Sequence, residues 1–185
     1  MHSVLWSHFL CSLSPFLSNK LQSYSCSGKL VALKFLIEKF LCMGEFAISN
    51  ETASRCKIVI FSQKPRCLEI IASQLLTPYF DIHYLTVTSE LCAEKRMEYV
   101  EKFQSDREVS ILLATTGICG HGFSLTAASV VILVDHNFNP YVDIQAIDRC
   151  HRIGQENAVM VYRLVSNEPN EERLMKYFCA SILTM

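Results

Sequence analysis

Short runs of β-branched and other apolar residues limit most strongly what this chain can fold into. Lys57–Phe61 reads Lys-Ile-Val-Ile-Phe, Ser110–Thr115 reads Ser-Ile-Leu-Leu-Ala-Thr, and Val130–Val134 and Val159–Val165 are of the same kind. Runs without apolar–polar alternation fit strands buried on both faces. Ile82–Val87 is a further strand candidate. Helical spacing fills the intervals. Leu30, Leu33, Leu36, Ile37 and Phe40 fall on one face of a helix that starts after Ser27-Gly28. Cys67–Leu76 reads as a helix stopped by Thr77-Pro78. Ala93–Phe103 reads as a charged surface helix, and Val142–Cys150 as a helix just after Pro140. Asn170–Ile182 closes the chain as a helix, with Glu171 and Glu172 in the turn where the macrodipole favours acids. Cys42–Arg55 is mixed and polar, a loop. Strands alternating with helices predict an α/β fold, a parallel sheet covered on both faces. Right-handed crossovers then bring the loops after Phe61, Thr115 and Asp135 to one edge, where such sheets bind ligands.

Composition narrows the function classes. The 185 residues are 50% hydrophobic and 19% charged, which excludes a disordered charged tail. A chain of this length buries roughly 70% of its unfolded surface. The formal net charge is −1, so attraction to nucleic acid must come from a local face and not from bulk charge. No run of 18 apolar residues occurs, and no membrane partner is expected. The nine cysteines are spread so that none lies within ten residues of the next. That spacing offers no Cys-x-x-Cys pair, disfavours zinc, and suits reduced thiols acting as small hydrophobes; no metal site is expected. Residues 1–27 carry a single charge, Lys20. A secretory signal fits them poorly, because Met1-His2-Ser3 has no basic residue and Pro15 breaks the apolar stretch. They are expected to be a poorly ordered or extraneous extension, with residues 28–185 as the folded lobe.

Three loops carry candidate chemistry. Ser62-Gln63-Lys64 offers a hydroxyl, an amide and an amine at a strand end, a set that can hold a phosphate. After Thr115 and Thr116 come Gly117, Gly120 and Gly122, with His121 among them. Such a loop permits positive φ and close approach of a partner, and its amides can cradle an anion. It is no Walker loop, because no Gly-Lys-Ser/Thr follows. Beyond His136-Asn137-Phe138-Asn139-Pro140, Gln145, Arg149 and Arg152 are spaced i, i+4, i+7. At helical pitch they lie within roughly 60° of one another. Ile144, Ile147 and His151 fall opposite and are expected to pack on the sheet. Two planar cations on one face suit a polyphosphate, while the same spacing also fits a solvated face with an Asp148–Arg152 pair.

The string Gln145-Ala146-Ile147-Asp148-Arg149-Cys150-His151-Arg152-Ile153-Gly154-Gln155 resembles motif VI of Swi/Snf-type chromatin-remodelling ATPases, a branch of the superfamily-two helicases. Ser27-Gly28-Lys29-Leu30 is similar to that family's entry to its second lobe, Ile58–Gln63 to motif IV, and Thr115–Ala128 to motif V. Ala93-Glu94-Lys95-Arg96 through Phe103 resembles its Arg-bearing helix, Asn139-Pro140 its Trp-Asn-Pro, and Tyr162-Arg163-Leu164-Val165 with Glu171-Glu172-Arg173 the approach to its bracing helix. Gly117 and Cys119 stand where the family has Arg and Gly, Thr86–Ser89 where it has Asp-Gly-Ser, and Phe138 where it has Trp.

The resemblance implies a RecA-like parallel sheet with helices on both faces, the C-terminal lobe of a nuclear DNA translocase. It implies Arg149 and Arg152 as arginine fingers toward ATP, a role worth about 10³–10⁵ in rate. Gln145, Gly120 and Gly122 would serve the nucleotide side. Ser62, Gln63, Thr115 and Thr116 would contact the phosphates of one strand of double-stranded DNA or of a nucleosome. ATP and Mg²⁺ would be held mainly by an N-terminal RecA-like lobe, since no phosphate loop or Asp-Glu-x-His box occurs in these 185 residues. The lobe alone would then not turn over ATP. The alternative is a non-catalytic module that docks on DNA or on another protein.

Overall fold

The computed structural model describes residues 5–11, 25, 27–42, 56–155 and 157–183, with residues 5–11, 42, 119–121 and 181–183 described by their backbone only. The strands are β1 (Leu5–Cys11), β2 (Ile58–Ser62), β3 (His83–Val87), β4 (Val109–Thr115), β5 (Val130–Leu133) and β6 (Met160–Ser166). They form one parallel sheet in the order β1-β6-β5-β2-β4-β3. The helices are α1 (Gly28–Ile37), α2 (Pro65–Ile71), α3 (Thr77–Tyr79), α4 (Ala93–Ser105), α5 (Pro140–Asp148) and α6 (Pro169–Leu183). α1 runs on as a π-helical turn over Glu38–Cys42, and a second such turn, Ala72–Leu76, joins α2 to α3. Thr77-Pro78 therefore does not stop the second helix at once; the chain completes one more turn before Phe80 becomes extended.

The five expected strands are present because they supply both faces of one core. Every residue of β2, β4 and β5 is buried. Ile58, Ile60, Ile111, Leu113, Val130 and Ile132 face Leu33, Leu36, Leu68 and Leu75 of the α1–α2 layer. Val59, Phe61, Leu112, Val131, Leu133 and Val161 face Phe103, Ala146 and Ile147 of the α4–α5 layer. Val100 and Phe103 are the buried residues of the otherwise polar α4, which fixes its role as a cover. α5 starts where its sequence says it should. Pro140 takes the first helical position, and the Asn139 side chain accepts from the Tyr141 N–H at 3.1 Å.

The structure departs from expectation at the chain start. Leu5–Cys11, inside the stretch set aside as extraneous, is an edge strand in parallel register with β6. The rest of 1–27, apart from 25 and 27, lies outside the described residues, as does most of the expected loop 42–55. Among the described residues Cys56, Cys67, Cys92, Cys150 and Cys179 are free thiols. Burial pushes the Cys56 thiol up, against a hydrogen-bonding contact with Ser129 Oγ at 3.3 Å.

One ion pair joins three elements and makes the stability pH-dependent. Lys29 Nζ, in the first turn of α1, lies 2.5 Å from Glu171 Oε1 and donates to Val134 O at 2.9 Å. Glu171 Oε2 accepts from Ser166 N at 2.6 Å and Ser166 Oγ at 2.8 Å. Partial burial pushes the Glu171 carboxyl up, but the Lys29 and Ser166 donors outweigh it and hold it below its ordinary value. A carboxyl depressed in the folded state stabilises above its unfolded pKa, and that contribution is lost as pH falls through the folded value. The melting temperature should therefore fall more steeply from about pH 5 toward pH 3 in the wild type than in Glu171→Gln. Parallel melting curves for the two proteins across that window would rule out this linkage.

Candidate functional site

The carboxyl ends of β2, β4 and β5 meet at one edge, and a single carboxylate ties the loop after β2 to the loop after β5. Asp135 Oδ2 accepts from Ser62 Oγ at 2.5 Å, and Asp135 Oδ1 accepts from Gln63 N at 2.7 Å. The Gln63 amide donates to His136 O, and its Oε1 accepts from Asn137 Nδ2 at 3.3 Å. Of the four residues expected on DNA, Gln63 alone is exposed; Ser62, Thr115 and Thr116 are buried. Thr115 Oγ1 has no hydrogen-bond partner among the described residues. Sequence reading missed Asp135 as an organiser, because its partners lie on another strand.

After β4 the chain turns through a 3₁₀ segment, Thr116–His121, and leaves it at Gly122 with φ +81°. That left-handed backbone is why glycine is needed there. Gly120 lies within the 3₁₀ segment; the side chains of Cys119 and His121 lie outside what the structure describes.

The arginines do not share a helical face. The periodic pattern continues past residue 148, but α5 ends at Asp148 and Arg149 caps it. The Arg149 carbonyl accepts from Leu125 N at 2.7 Å, so the stretch behind the glycine turn takes the bond a longer helix would have used. The packed positions are Asp143, Ala146, Ile147 and Cys150, while Ile144 and His151 are half-buried. Gln145 is exposed on α5. Arg152 is exposed beyond the helix, and its Nη1 donates to Gly122 O at 3.2 Å, on the rim of the glycine turn.

Arg149 points elsewhere. Its residue exposure is 6%, and it lines a small cavity with Phe61, Val100, Ile118, Phe123 and Leu125. Its buried Nε has no hydrogen-bond partner among the described residues. An unsatisfied buried donor costs about 1–3 kcal/mol. Arg149→Met keeps the length and matches the apolar lining. It should raise the unfolding free energy by about 1–3 kcal/mol in urea titrations. A destabilised variant would show that this guanidinium serves the fold.

A second buried polar cluster stands behind α5. Arg163 Nη1 donates to Asp143 Oδ2 at 2.9 Å and lies 3.2 Å from His136 Nδ1. His136 Nε2 is 3.0 Å from Leu164 O. A carbonyl only accepts, so the ring carries its proton on Nε2 and offers the Nδ1 lone pair to Arg163. The guanidinium stacks on Phe178 of α6, 3.6 Å from the ring centre. Burial presses the Arg163 pKa down, and the Asp143 bond pulls it back up. Its sequence signal was legible in kind: one arginine amid Val161, Tyr162, Leu164 and Val165 demands a buried partner. Among the described residues no group of three or more His, Cys, Asp or Glu is placed to hold a metal ion.

A parallel α/β lobe with an arginine on the rim of a glycine turn defines the class, and the comparisons specify it. The family described as the helicase conserved C-terminal domain matches residues 36–154. The chain is 36% identical over 152 residues to the TATA-binding protein-associated factor BTAF1 of Arabidopsis thaliana, which covers 80% of this chain and 7% of that protein. It is 35% identical over 176 residues to the ATP-dependent helicase fft2 of Schizosaccharomyces pombe, covering 91% of this chain and 12% of the relative. Among solved structures, the C-terminal part of the Fun30 ATPase domain superposes with a TM-score of 0.72 at 30% identity, over 86% of this chain and 47% of that one. The chain belongs to the helicase C-terminal domain family, in its Snf2-type ATPase branch, and its fold is that family's RecA-like lobe. It spans about a tenth of the length of these curated relatives.

Proposed function

We propose that this chain is the C-terminal lobe of an ATP-dependent DNA translocase of the chromatin-remodelling type, acting in the nucleus with an N-terminal RecA-like lobe. The observation that carries this reading is Arg152, an exposed guanidinium on the rim of the glycine turn at the carboxyl edge of a parallel sheet. Arginine is always charged and presents a planar fork of donors, which suits a phosphate offered by a facing lobe. The site fits a triphosphate, because among the described residues Arg152 has one donor engaged, by a backbone carbonyl. ATP supplies the free energy when bound, with Mg²⁺, mainly by the N-terminal lobe.

Each remaining residue has a part in this reading. Arg149 is the second arginine finger, once its side chain leaves the cavity behind Phe123. Gln145, one turn ahead on α5, orients the nucleotide side. Gly120 and Gly122 let the turn backbone come close. Gln63 meets a DNA phosphate through its exposed side chain, and the buried Ser62, Thr115 and Thr116 serve that contact from behind by shaping the edge that carries it. Such contacts hold the duplex without reading its sequence.

The test mixes the purified chain with an N-terminal lobe from a Snf2-type ATPase and follows ATP hydrolysis with and without double-stranded DNA. Turnover that needs both lobes and rises with DNA supports the motor half. Binding without turnover supports a non-catalytic docking module, and failure to bind either partner removes both readings.

A further inference from the structure

Gln155 closes the motif string yet has no role in the reading above. It is 5% exposed. Its Nε2 donates to Ala128 O at 2.8 Å and to Cys150 O at 3.1 Å, and its Oε1 accepts from Asn157 N at 3.0 Å. Its own N–H donates to Arg152 O at 3.0 Å, closing a tight turn over Arg152–Gln155. Gly154 reverses the chain within that turn with φ +103°, and Ile153 stands fully exposed at its tip. Ala128 ends the stretch that follows the glycine turn, where its N–H donates to Leu125 O at 3.0 Å. The Arg152 turn is thus tied at its far end to Ala128, at its root by Leu125 N to Arg149 O, and at its arginine to Gly122 O.

We infer that Gln155 is a positioning residue that holds Arg152 against the glycine turn. The chemistry singles out glutamine. Two carbonyls and one N–H converge on its side chain, and an uncharged amide supplies two donors and an acceptor. A carboxylate of the same size would set an acceptor against Ala128 O and Cys150 O. The inference rests on the motor reading for its consequence, since a freely moving arginine meets the phosphate in productive geometry only part of the time.

Two measurements decide it. Trypsin cuts after arginine, and native cleavage needs local opening of the segment. Cleavage of the intact chain between Arg152 and Ile153 should speed up roughly tenfold or more in Gln155→Glu and Gln155→Met. Cleavage after the exposed Arg107 should stay unchanged, and the melting temperature should fall only by the several degrees that the lost buried hydrogen bonds cost; equal acceleration at both arginines would mean general loosening and overturn the inference. In the two-lobed mixture, Gln155→Glu should lower kcat roughly 10–100-fold with the KM for ATP unchanged. In an Arg152→Ala background it should cause no further loss, because the two residues act as one unit. Additive losses would overturn the positioning role. A mixture silent with the wild-type chain would count against the motor reading alone, and the cleavage rates would still decide whether Gln155 holds Arg152.

Discussion

Arg152→Ala is expected to slow ATP hydrolysis by the assembled two-lobed motor roughly 10³–10⁵-fold, measured as kcat at saturating ATP and DNA. The expectation follows from where the guanidinium stands. It is exposed, sits beyond the end of α5, and among the described residues its side-chain hydrogen bond is to a backbone carbonyl of the turn that faces the same opening. Removing it should leave the fold intact, because an exposed side chain with one peripheral bond contributes little to stability. The loss should therefore fall on the chemical step, with nucleotide affinity nearly preserved. Arg152→Lys keeps the charge but loses the planar fork, and should recover only a part of the rate. A motor that runs within about tenfold of the wild type without Arg152 would refute the assignment.

Asp143→Ala is expected to cost about 3–5 kcal/mol of unfolding free energy in urea titrations. Asp143 and Arg163 are each 1% exposed and meet at 2.9 Å. Deleting the carboxylate leaves a guanidinium deep in the fold with the His136 lone pair and the Phe178 face to compensate. The cost is that of an uncompensated buried charge and exceeds the net worth of the pair. It follows that Asp143→Leu combined with Arg163→Met should cost less than Asp143→Ala alone. The effect should also reach the motif helix, because Asp143 lies in the first turn of α5 and Oδ1 accepts from Asn137 N at 3.3 Å. A loss under about 1 kcal/mol would show that water or rearrangement satisfies Arg163.

The sheet was legible because its inner strands advertise themselves. Ile58–Phe61, Ile111–Ala114 and Val130–Leu133 are apolar on both faces, and only a covered parallel sheet accepts that. β1 was not legible. Ser7 and His8 interrupt Leu5–Cys11, and its partner β6 lies at the other end of the chain, so pairing and not pattern makes it a strand. The end of α5 was misjudged for a similar reason. Local spacing favours continuation through Arg152, while the Leu125 N–H captures the Arg149 carbonyl from outside the helix. The site shows the same division. Arg152 stands beside Gly122 on one rim, whereas Arg149 entered an apolar cavity that no charge pattern announces. Asp135, Asp143 and Gln155 escaped notice because each is defined by partners distant in sequence.

Gly154 places a constraint of handedness on the Arg152 turn. A Cβ built there would meet nothing within 4 Å, so space is plentiful. The φ of +103° is nevertheless one that L side chains rarely adopt. Any L-residue would twist the backbone, at a cost of about 1–2 kcal/mol for the wrong-handed geometry, and would re-aim the arginine two positions earlier. A D-alanine, mirror-related, would find both room and a comfortable torsion at the same position.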